Sequence, residues 1–397
     1  MNVRPADPRS HSDSEFHFSE QPQLSEELRM LREQVRRFVE KEVVPHGEQW
    51  ERDGKIPREI YRRMGALGFL GMRHAADYGG TDMGPLASMV WAEELGRSTF
   101  GGFTSSVLVH TDMSAVHITL RGTPEQKQKY LPAIIRGETI CSIAVTEPDA
   151  GSDVAGLKTR ARRDGDSWVI NGSKMFITNA VYGDILIVAA RTDPAAKGSR
   201  GISLFIVERR TPGISATKLD KHGWLCSDTA EIAFQDVRVP LENLLGEENR
   251  GFYGIMETFE NERICIGGIC AGESAKAIEL TTNYVKGRQA FGGPLWNQQA
   301  VRLKLASLAA KAAAARALAY HAAELVEAGQ SAAREVSMVK ALSPEVLHEV
   351  VHGCLQLHGG TGFMRGTPIE RMVRDARVLT IGGGATEVML EEVAKRM

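Results

Sequence analysis

The chain predicts an α+β fold in three parts: a helical N-terminal domain, a central β-domain and a C-terminal four-helix bundle. Three observations carry this. Near the N-terminus apolar residues recur at three- and four-residue steps, as at Leu28, Leu31, Val35, Phe38 and Val39. From about 139 to 239 the pattern changes to short apolar runs punctuated by Gly, Pro and Asp. From about 248 long Ala- and Leu-rich stretches return. Helix–strand–helix order in one chain points to α+β and away from a doubly wound α/β sheet. The expected divisions are a disordered arm over 1–23, the helical domain over 24–138, the β-domain over 139–243 and the bundle over 244–397.

Each element has its own signal. Pro57 suits the first turn of a helix over 58–67, and Gly68 ends it. A further helix is expected over 125–135. Trp168-Val169-Ile170, then Asn171-Gly172, then Met175-Phe176-Ile177 predicts a hairpin, because Asn-Gly takes the positive φ values of a type I′ turn. Further strands are expected over 185–190, 202–207 and 230–239. Residues 251–285, 298–326 and 332–357 each supply one long bundle helix, with Pro344 a site for a kink in the last.

Composition bounds the function. The 397 residues are 43% hydrophobic and 25% charged, ordinary for a globular protein. A net charge of -2 offers no bulk attraction to nucleic acid or to an anionic membrane. No apolar stretch approaches the roughly 18 residues a membrane-spanning helix needs, so no membrane insertion is expected. The first 23 residues are polar, carry Pro5, Pro8 and Pro22, and lack the apolar core of a signal peptide. Five cysteines without CxxC spacing fit reduced thiols, so a cytoplasmic location is expected.

The most informative run is 141–153, Cys-Ser-Ile-Ala-Val-Thr-Glu-Pro-Asp-Ala-Gly-Ser-Asp. It is apolar up to Val145, then abruptly polar. A strand is expected to end at Thr146, and Pro148 and Gly151 then force a loop that exposes backbone N–H groups. With hydroxyls at Thr146 and Ser152, such a loop suits a flat heteroaromatic cofactor with a phosphate tail. Four more motifs follow in order: Lys174-Met175-Phe176-Ile177-Thr178; Arg288-Gln289-Ala290-Phe291-Gly292 with Gln299; Gln356-Leu357-His358-Gly359-Gly360-Thr361-Gly362-Phe363; and Arg374-Asp375-Ala376-Arg377 leading to Gly382-Gly383-Gly384-Ala385-Thr386-Glu387.

Together these motifs resemble the acyl-CoA dehydrogenase family of flavoproteins, from about Leu24 to the C-terminus. The resemblance implies non-covalent FAD, a homotetramer or homodimer, an acyl-CoA substrate and an electron-transfer flavoprotein as acceptor. It implies FAD contacts from Ile143, Val145, Thr146, Gly151 and Ser152 in the first motif and from Phe176, Ile177 and Thr178 in the second. It implies further contacts from Arg288, Phe291 and Gln299, with Arg288 and Gln299 reaching the FAD of a neighbouring subunit. Gln356, His358, Gly359 and Gly360, then Ala385, Thr386 and Glu387, complete the set. Ala385 departs from the usual Thr, a loss of one hydroxyl.

The family reaction needs a carboxylate to take an α-proton while the β-hydrogen leaves as hydride to flavin N5. In many members that Glu stands at the position of Gly383, and glycine accepts no proton. A minority branch, which includes isovaleryl-CoA and long-chain acyl-CoA dehydrogenases, carries the base on a bundle helix immediately before an Arg. Here Glu260-Asn261-Glu262-Arg263 matches that segment, so Glu262 is the expected base. Ser152, Tyr253, Glu260, Arg263, Gly383 and Gly384 are expected near acyl-CoA. The expected product is the trans-2-enoyl-CoA. The alternatives are a family relative acting on a non-CoA substrate and a base-less flavin- or acyl-CoA-binding protein. A zinc-hydrolase pattern, His348-Glu349-Val350-Val351-His352, is set aside: six residues on a helix turn about 600°, which carries His358 to another face, so no metal is expected.

Overall fold

The structure, a computed structural model, describes Phe18 and residues 24–397. The arm expected over 1–23 lies outside the described residues except at Phe18, whose ring stands 5.4 Å from the Arg316 guanidinium.

Helix α1 (Glu26–Phe38) is capped by Ser25, whose hydroxyl accepts from the Leu28 N–H at 3.2 Å. After α2 (Gly47–Asp53), α3 (Arg58–Ala66) starts directly after Pro57 and stops where Gly68 takes φ +80°. Helix α4 (Pro85–Gly96) is buried along most of its length. Helix α5 (Gly101–Leu108) widens into a π-helical segment, Val109–Ala115, before α6 (Val116–Arg121). A capping box between Thr123 and Gln126 opens α7 (Pro124–Ile135).

The central sheet has eight strands: β1 (Cys141–Ala144), β2 (Arg160–Asp164), β3 (Ser167–Thr178), β4 (Ile185–Arg191), β5 (Ile202–Glu208), β6 (Ile214–Lys218), β7 (Thr229–Pro240) and β8 (Leu244–Leu245). Their order is β6-β7-β3-β2-β4-β5-β8, with β1 lying parallel beside β4. Every residue of β4 except its last is buried, so this strand is covered on both faces.

The expected hairpin at Asn171-Gly172 is not there. Strand β3 runs straight through both residues, and the hairpin joins β2 to β3 around Gly165 at φ +65°. Asn171-Gly172 instead forms a bulge where β3 slips register against β7. The glycine is needed for proximity: a Cβ on Gly172 would lie 2.5 Å from Thr159 Oγ1. Asn171 Nδ2 donates to Asp236 Oδ1 across the bulge at 3.0 Å. The Asp-Gly-Asp at 164–166 carries the same turn chemistry and takes the turn.

Helix α8 (Gly251–Gly287) is the longest element. Two short strands, β9 (Gln289–Ala290) and β10 (Gly293–Pro294), lead to α9 (Gln299–Glu327) and α10 (Ala333–His358), which runs unbroken through Pro344. Helices α11 (Gly360–Phe363), α12 (Pro368–Ala376) and α13 (Thr386–Ala394) close the chain. The three long helices pack on one another, and α4 packs against α8 and α9. Gly268 lets α4 come close, since a Cβ there would stand 2.7 Å from Ala92 Cβ. Across the α4–α9 contact, Glu93 is buried with Arg316 (Nε to Oε1, 2.7 Å) and accepts the Tyr320 hydroxyl at 2.6 Å. All five cysteines are free and buried. No helix among the described residues is long and apolar enough to cross a membrane.

The two glycines separate the turn assignments. Gly172→Ala is expected to cost roughly 2–4 kcal/mol, because it forces both a backbone clash and a disfavoured φ. Gly165→Asn is expected to cost under about 1 kcal/mol, because Asn tolerates the left-handed region. Urea denaturation of both variants checks this, and the reverse ranking contradicts the bulge.

Candidate active site

The first motif folds as its chemistry requires. Strand β1 ends at Ala144, and the Met175 N–H donates to the Thr146 carbonyl at 2.8 Å, which ties the loop to β3. Glu147 and Ala150 then pair backbone to backbone, so Pro148-Asp149 forms the tip of a tight turn. Gly151 and Ser152 stand exposed beyond it, and a Cβ at Gly151 would meet nothing within 4 Å.

Beneath this loop lies a buried ion pair that sequence reasoning missed. Lys174 is 0% exposed, and its Nζ donates to Glu147 Oε1 at 2.8 Å and to the Val145 carbonyl at 2.9 Å. Glu147 also accepts from the Lys158 and Thr159 backbone N–H groups at 2.6 and 2.9 Å. Burial pushes the Lys174 ammonium down to about 8 against the opposing pull of Glu147. A lysine directly before the apolar run Met175-Phe176-Ile177 of a strand was the available signal.

Three residues on, β3 slips register again, and Phe176 adopts φ +62° with its ring 66% exposed. A bulky residue held in left-handed backbone with its ring in water is strained, and such strain concentrates at functional sites. Thr178 is half-buried, and its carbonyl accepts from the Ser142 hydroxyl at 2.5 Å. Ile177 and Val145 turn their side chains into the sheet core, so only their backbone faces the loop side. Ile143 is half-buried.

The second group lies on α8. Glu262 sits at a partly accessible position yet is crowded by protein, so burial raises its carboxyl above the usual range while Arg263 and Lys340 oppose this. A Cβ built on Gly383 would lie 2.9 Å from Glu262 Oε1 and 2.8 Å from Ile266 Cδ1. The helix carboxylate therefore fills the space that a side chain at 383 would claim. Gly383 and Gly384 have φ +68° and +107°, and the loop they form is held by Lys340 Nζ, which donates to the Leu379 and Gly384 carbonyls at 2.8 and 2.6 Å. Ala385, Thr386 and Glu387 follow directly; Thr386 is buried and Glu387 exposed. Glu260 and Arg263 are half-buried, and Arg263 also feels Glu392 and Arg396 of the C-terminal segment. Tyr253 is exposed, with the Arg250 guanidinium 4.3 Å from its ring.

These two groups are joined through Val109–Ala115. His110 Nδ1 accepts from the Cys141 N–H at 3.1 Å. Two residues on, Asp112 accepts from Asn261 Nδ2 at 3.1 Å and from the Ser88 and Thr111 hydroxyls at 2.6 Å each. Asn261 precedes Glu262, so one helical segment sets both the β1 strand and the base-bearing turn of α8.

A third group lies apart. Helix α8 continues unbroken to Gly287, so about 1.5 Å per residue puts Arg288 roughly 39 Å from Glu262. There Tyr284 stacks on His358 at 4.2 Å, and Thr281 Oγ1 lies 3.2 Å from His358 Nε2, which fixes the end of α10 against α8. Arg288, Phe291, Gln299, Gln356, Gly359 and Gly360 are exposed, Phe291 by 89%. The zinc-like pair is otherwise engaged: His348 Nε2 is 2.9 Å from the Ala376 carbonyl, and Glu349 pairs with Lys311. Among the described residues no group of three or more His, Cys, Asp or Glu could hold a metal ion.

Family models for the N-terminal, middle and C-terminal domains of acyl-CoA dehydrogenases match residues 25–138, 142–237 and 249–397. The chain belongs to the acyl-CoA dehydrogenase family. It is 40% identical over 379 residues to the mitochondrial long-chain specific acyl-CoA dehydrogenase of Sus scrofa, covering 94% of this chain and 87% of that protein. It is 36% identical to the mitochondrial isovaleryl-CoA dehydrogenase of Pongo abelii over 92% of this chain and 87% of that one. The crystal structure of an acyl-CoA dehydrogenase from Geobacillus kaustophilus superposes with TM-score 0.90 at 41% identity, over 94% of this chain and 99% of the other. Acyl-CoA dehydrogenases are oxidoreductases that use FAD. The open backbone at Gly151, the exposed hydroxyl of Ser152 and the strained, exposed Phe176 ring fit such a group.

Lys174→Met leaves the Glu147 carboxylate buried without its cation, and is expected to cost about 3–5 kcal/mol. Glu147→Leu combined with Lys174→Met is expected to recover at least half of that loss. Thermal and urea denaturation of the three proteins measure both; a neutral Lys174→Met contradicts a structural ion pair.

Proposed function

We propose that this acyl-CoA dehydrogenase removes hydrogen from the α- and β-carbons of an acyl-CoA thioester to give the trans-2-enoyl-CoA, with Glu262 as the base and an electron-transfer flavoprotein as electron acceptor. One observation carries the reading: the position at 383 is side-chain-free, and the Glu262 carboxylate stands against it. A base can reach one α-carbon from either position, and this chain supplies it from α8.

Bound FAD supplies the acceptor for the β-hydride. The chain's own residues do the rest. Glu262 takes the α-proton; its raised pKa makes the carboxylate a stronger base than an exposed one and leaves it uncharged after transfer, when charge is least welcome in a buried site. The glycine loop offers backbone N–H groups, free of any side chain, to the thioester oxygen, where enolate charge develops. Exposed Ser152 and Tyr253, with half-buried Glu260 and Arg263, supply polar groups for the CoA portion. The half-buried Thr146, the exposed Gly151 and Ser152, Phe176 and Thr178 suit the flavin end of the dinucleotide.

The remote group serves the same reading through assembly. At roughly 39 Å from Glu262, Arg288 is too far along α8 to share one compact catalytic centre with it. Its neighbours Phe291 and Phe363 are 89% and 85% exposed, a cost that an adjoining subunit removes. A homotetramer or homodimer in which Arg288 and Gln299 meet a neighbour's FAD satisfies both facts.

Glu262→Gln is expected to retain FAD and to lower the rate of flavin bleaching by acyl-CoA by about 10³-fold or more. Stopped-flow absorbance under anaerobic conditions reads this, and a near-normal rate removes Glu262 from the mechanism. No bleaching of wild-type protein by straight or branched acyl-CoAs, with FAD bound, points to a non-CoA substrate or a binding role. Glu262→Gly with Gly383→Glu is expected to bleach at least tenfold faster than Glu262→Gly alone, since removing Glu262 opens the space that the new side chain needs. Because Glu262 must be ionised, the wild-type rate is expected to rise with pH through the carboxyl's raised pKa.

A further inference from the structure

Lys340 is a buried cation that the family reading leaves without a task. It lies on α10 with no exposed surface, and both of its resolved partners are carbonyls of the 379–384 loop. Taking an ammonium out of water costs several kcal/mol, and two neutral acceptors repay only part of that. The position of Lys340 supplies the missing partner. Its Cε lies 3.5 Å from the point where a Gly383 Cβ would stand, and Glu262 Oε1 lies 2.9 Å from that same point. The Lys340 side chain, the glycine loop and the Glu262 carboxylate thus meet at one spot from three separate elements, with the ammonium itself turned to the loop carbonyls.

We propose that Lys340 is a positioning residue for Glu262: its ammonium holds the Gly383–Gly384 loop against the carboxylate and, together with Arg263, adds positive charge that favours the ionised carboxylate. The inference rests on Glu262 being the base. The charges around the pair are few. Arg263 faces Glu262 from α8 itself, and Lys340 faces it from α10. Arg263 is shared with Glu260 and Glu392 and stands near Arg396. Lys340 faces Glu262, Arg263 and the Cys270 thiol. Burial holds Lys340 down to about 8, so it is charged at neutral pH and loses its charge in mild alkali. The direction of its effect follows. A cation beside Glu262 lowers the carboxyl's pKa, so its removal raises that pKa and moves the ascending limb of the pH–rate profile to higher pH.

Two variants and one control test this on the FAD-loaded protein. Lys340→Gln keeps a donor and loses the charge; its bleaching rate with acyl-CoA is expected to rise with pH about one unit later than wild type. The deficit should be about tenfold on the acid side of the limb and should shrink to within a fewfold of wild type on the alkaline plateau. Lys340→Arg keeps the charge, so its ascending limb is expected to follow that of wild type. A double-mutant cycle of Lys340→Gln with Glu262→Gln, read on the thermal midpoint at pH 6 and pH 9, is expected to show coupling that changes with pH. A folded, FAD-loaded Lys340→Gln with the wild-type profile, or one slowed equally at every pH, overturns the proposal. If Lys340→Gln does not fold, a folded, FAD-loaded Lys340→Arg whose ascending limb departs from that of wild type by a unit or more overturns it instead. Glu262→Gln separates the two claims: if that variant bleaches normally, the assignment of the base fails first, and if it is inactive while Lys340→Gln keeps the wild-type profile, only the role of Lys340 fails.

Discussion

The architecture turns on the π-helical segment Val109–Ala115 and on the hydrogen bonds that leave it in two directions. Through His110 it meets the first residue of β1, and through Asp112 it meets Asn261 on α8. Burial holds His110 down to about 4, so the ring is neutral at ordinary pH and its Nδ1 can accept the Cys141 N–H. Asp112 accepts three hydrogen bonds, which satisfies a carboxylate that is 1% exposed. A regular α-helix would bring these two side chains out at other angles. The widened winding lets a single stretch of backbone set the spacing between the cofactor-facing strand and the carboxylate on the bundle.

Electrostatics at the proposed site follow from burial rather than from net charge. The chain as a whole is nearly neutral, yet Glu262, Lys340 and Lys174 all lie in protein-crowded surroundings that disfavour their charged forms. Each lysine offsets part of that cost with backbone carbonyls of the loop it fixes. Both loops are irregular and rich in small residues, so they have little apolar surface of their own with which to order themselves. An internal cation is a physical substitute for a hydrophobic anchor.

Much of this was legible in the residue order because it is local. Helix and strand periodicity and the sharp polar turn after Val145 are statements about neighbours in the chain, whereas the link between Gly383 and the Glu-Arg dipeptide on α8 came from the family resemblance. What the order concealed was non-local. Lys174 reads as one more residue of a motif until Glu147 reaches it from the loop after β1. Lys340 is an unremarkable bundle lysine until the 379–384 loop folds back upon it. Asn171-Gly172 misled for the same reason. Its turn chemistry is sound, but Thr159, just before β2, needs the space, and tertiary packing overrides local preference at that point.

The five buried cysteines bear on durability. A flavin enzyme that meets oxygen between turnovers releases peroxide beside its own polypeptide. Peroxide attacks thiolates far faster than thiols, and reaches them only where they are accessible. Burial pushes the thiols of Cys141, Cys226, Cys265 and Cys270 well up, and that of Cys354 up to about 11, so all five remain protonated as well as shielded. The five thiols are thereby kept from any peroxide that reaches the protein.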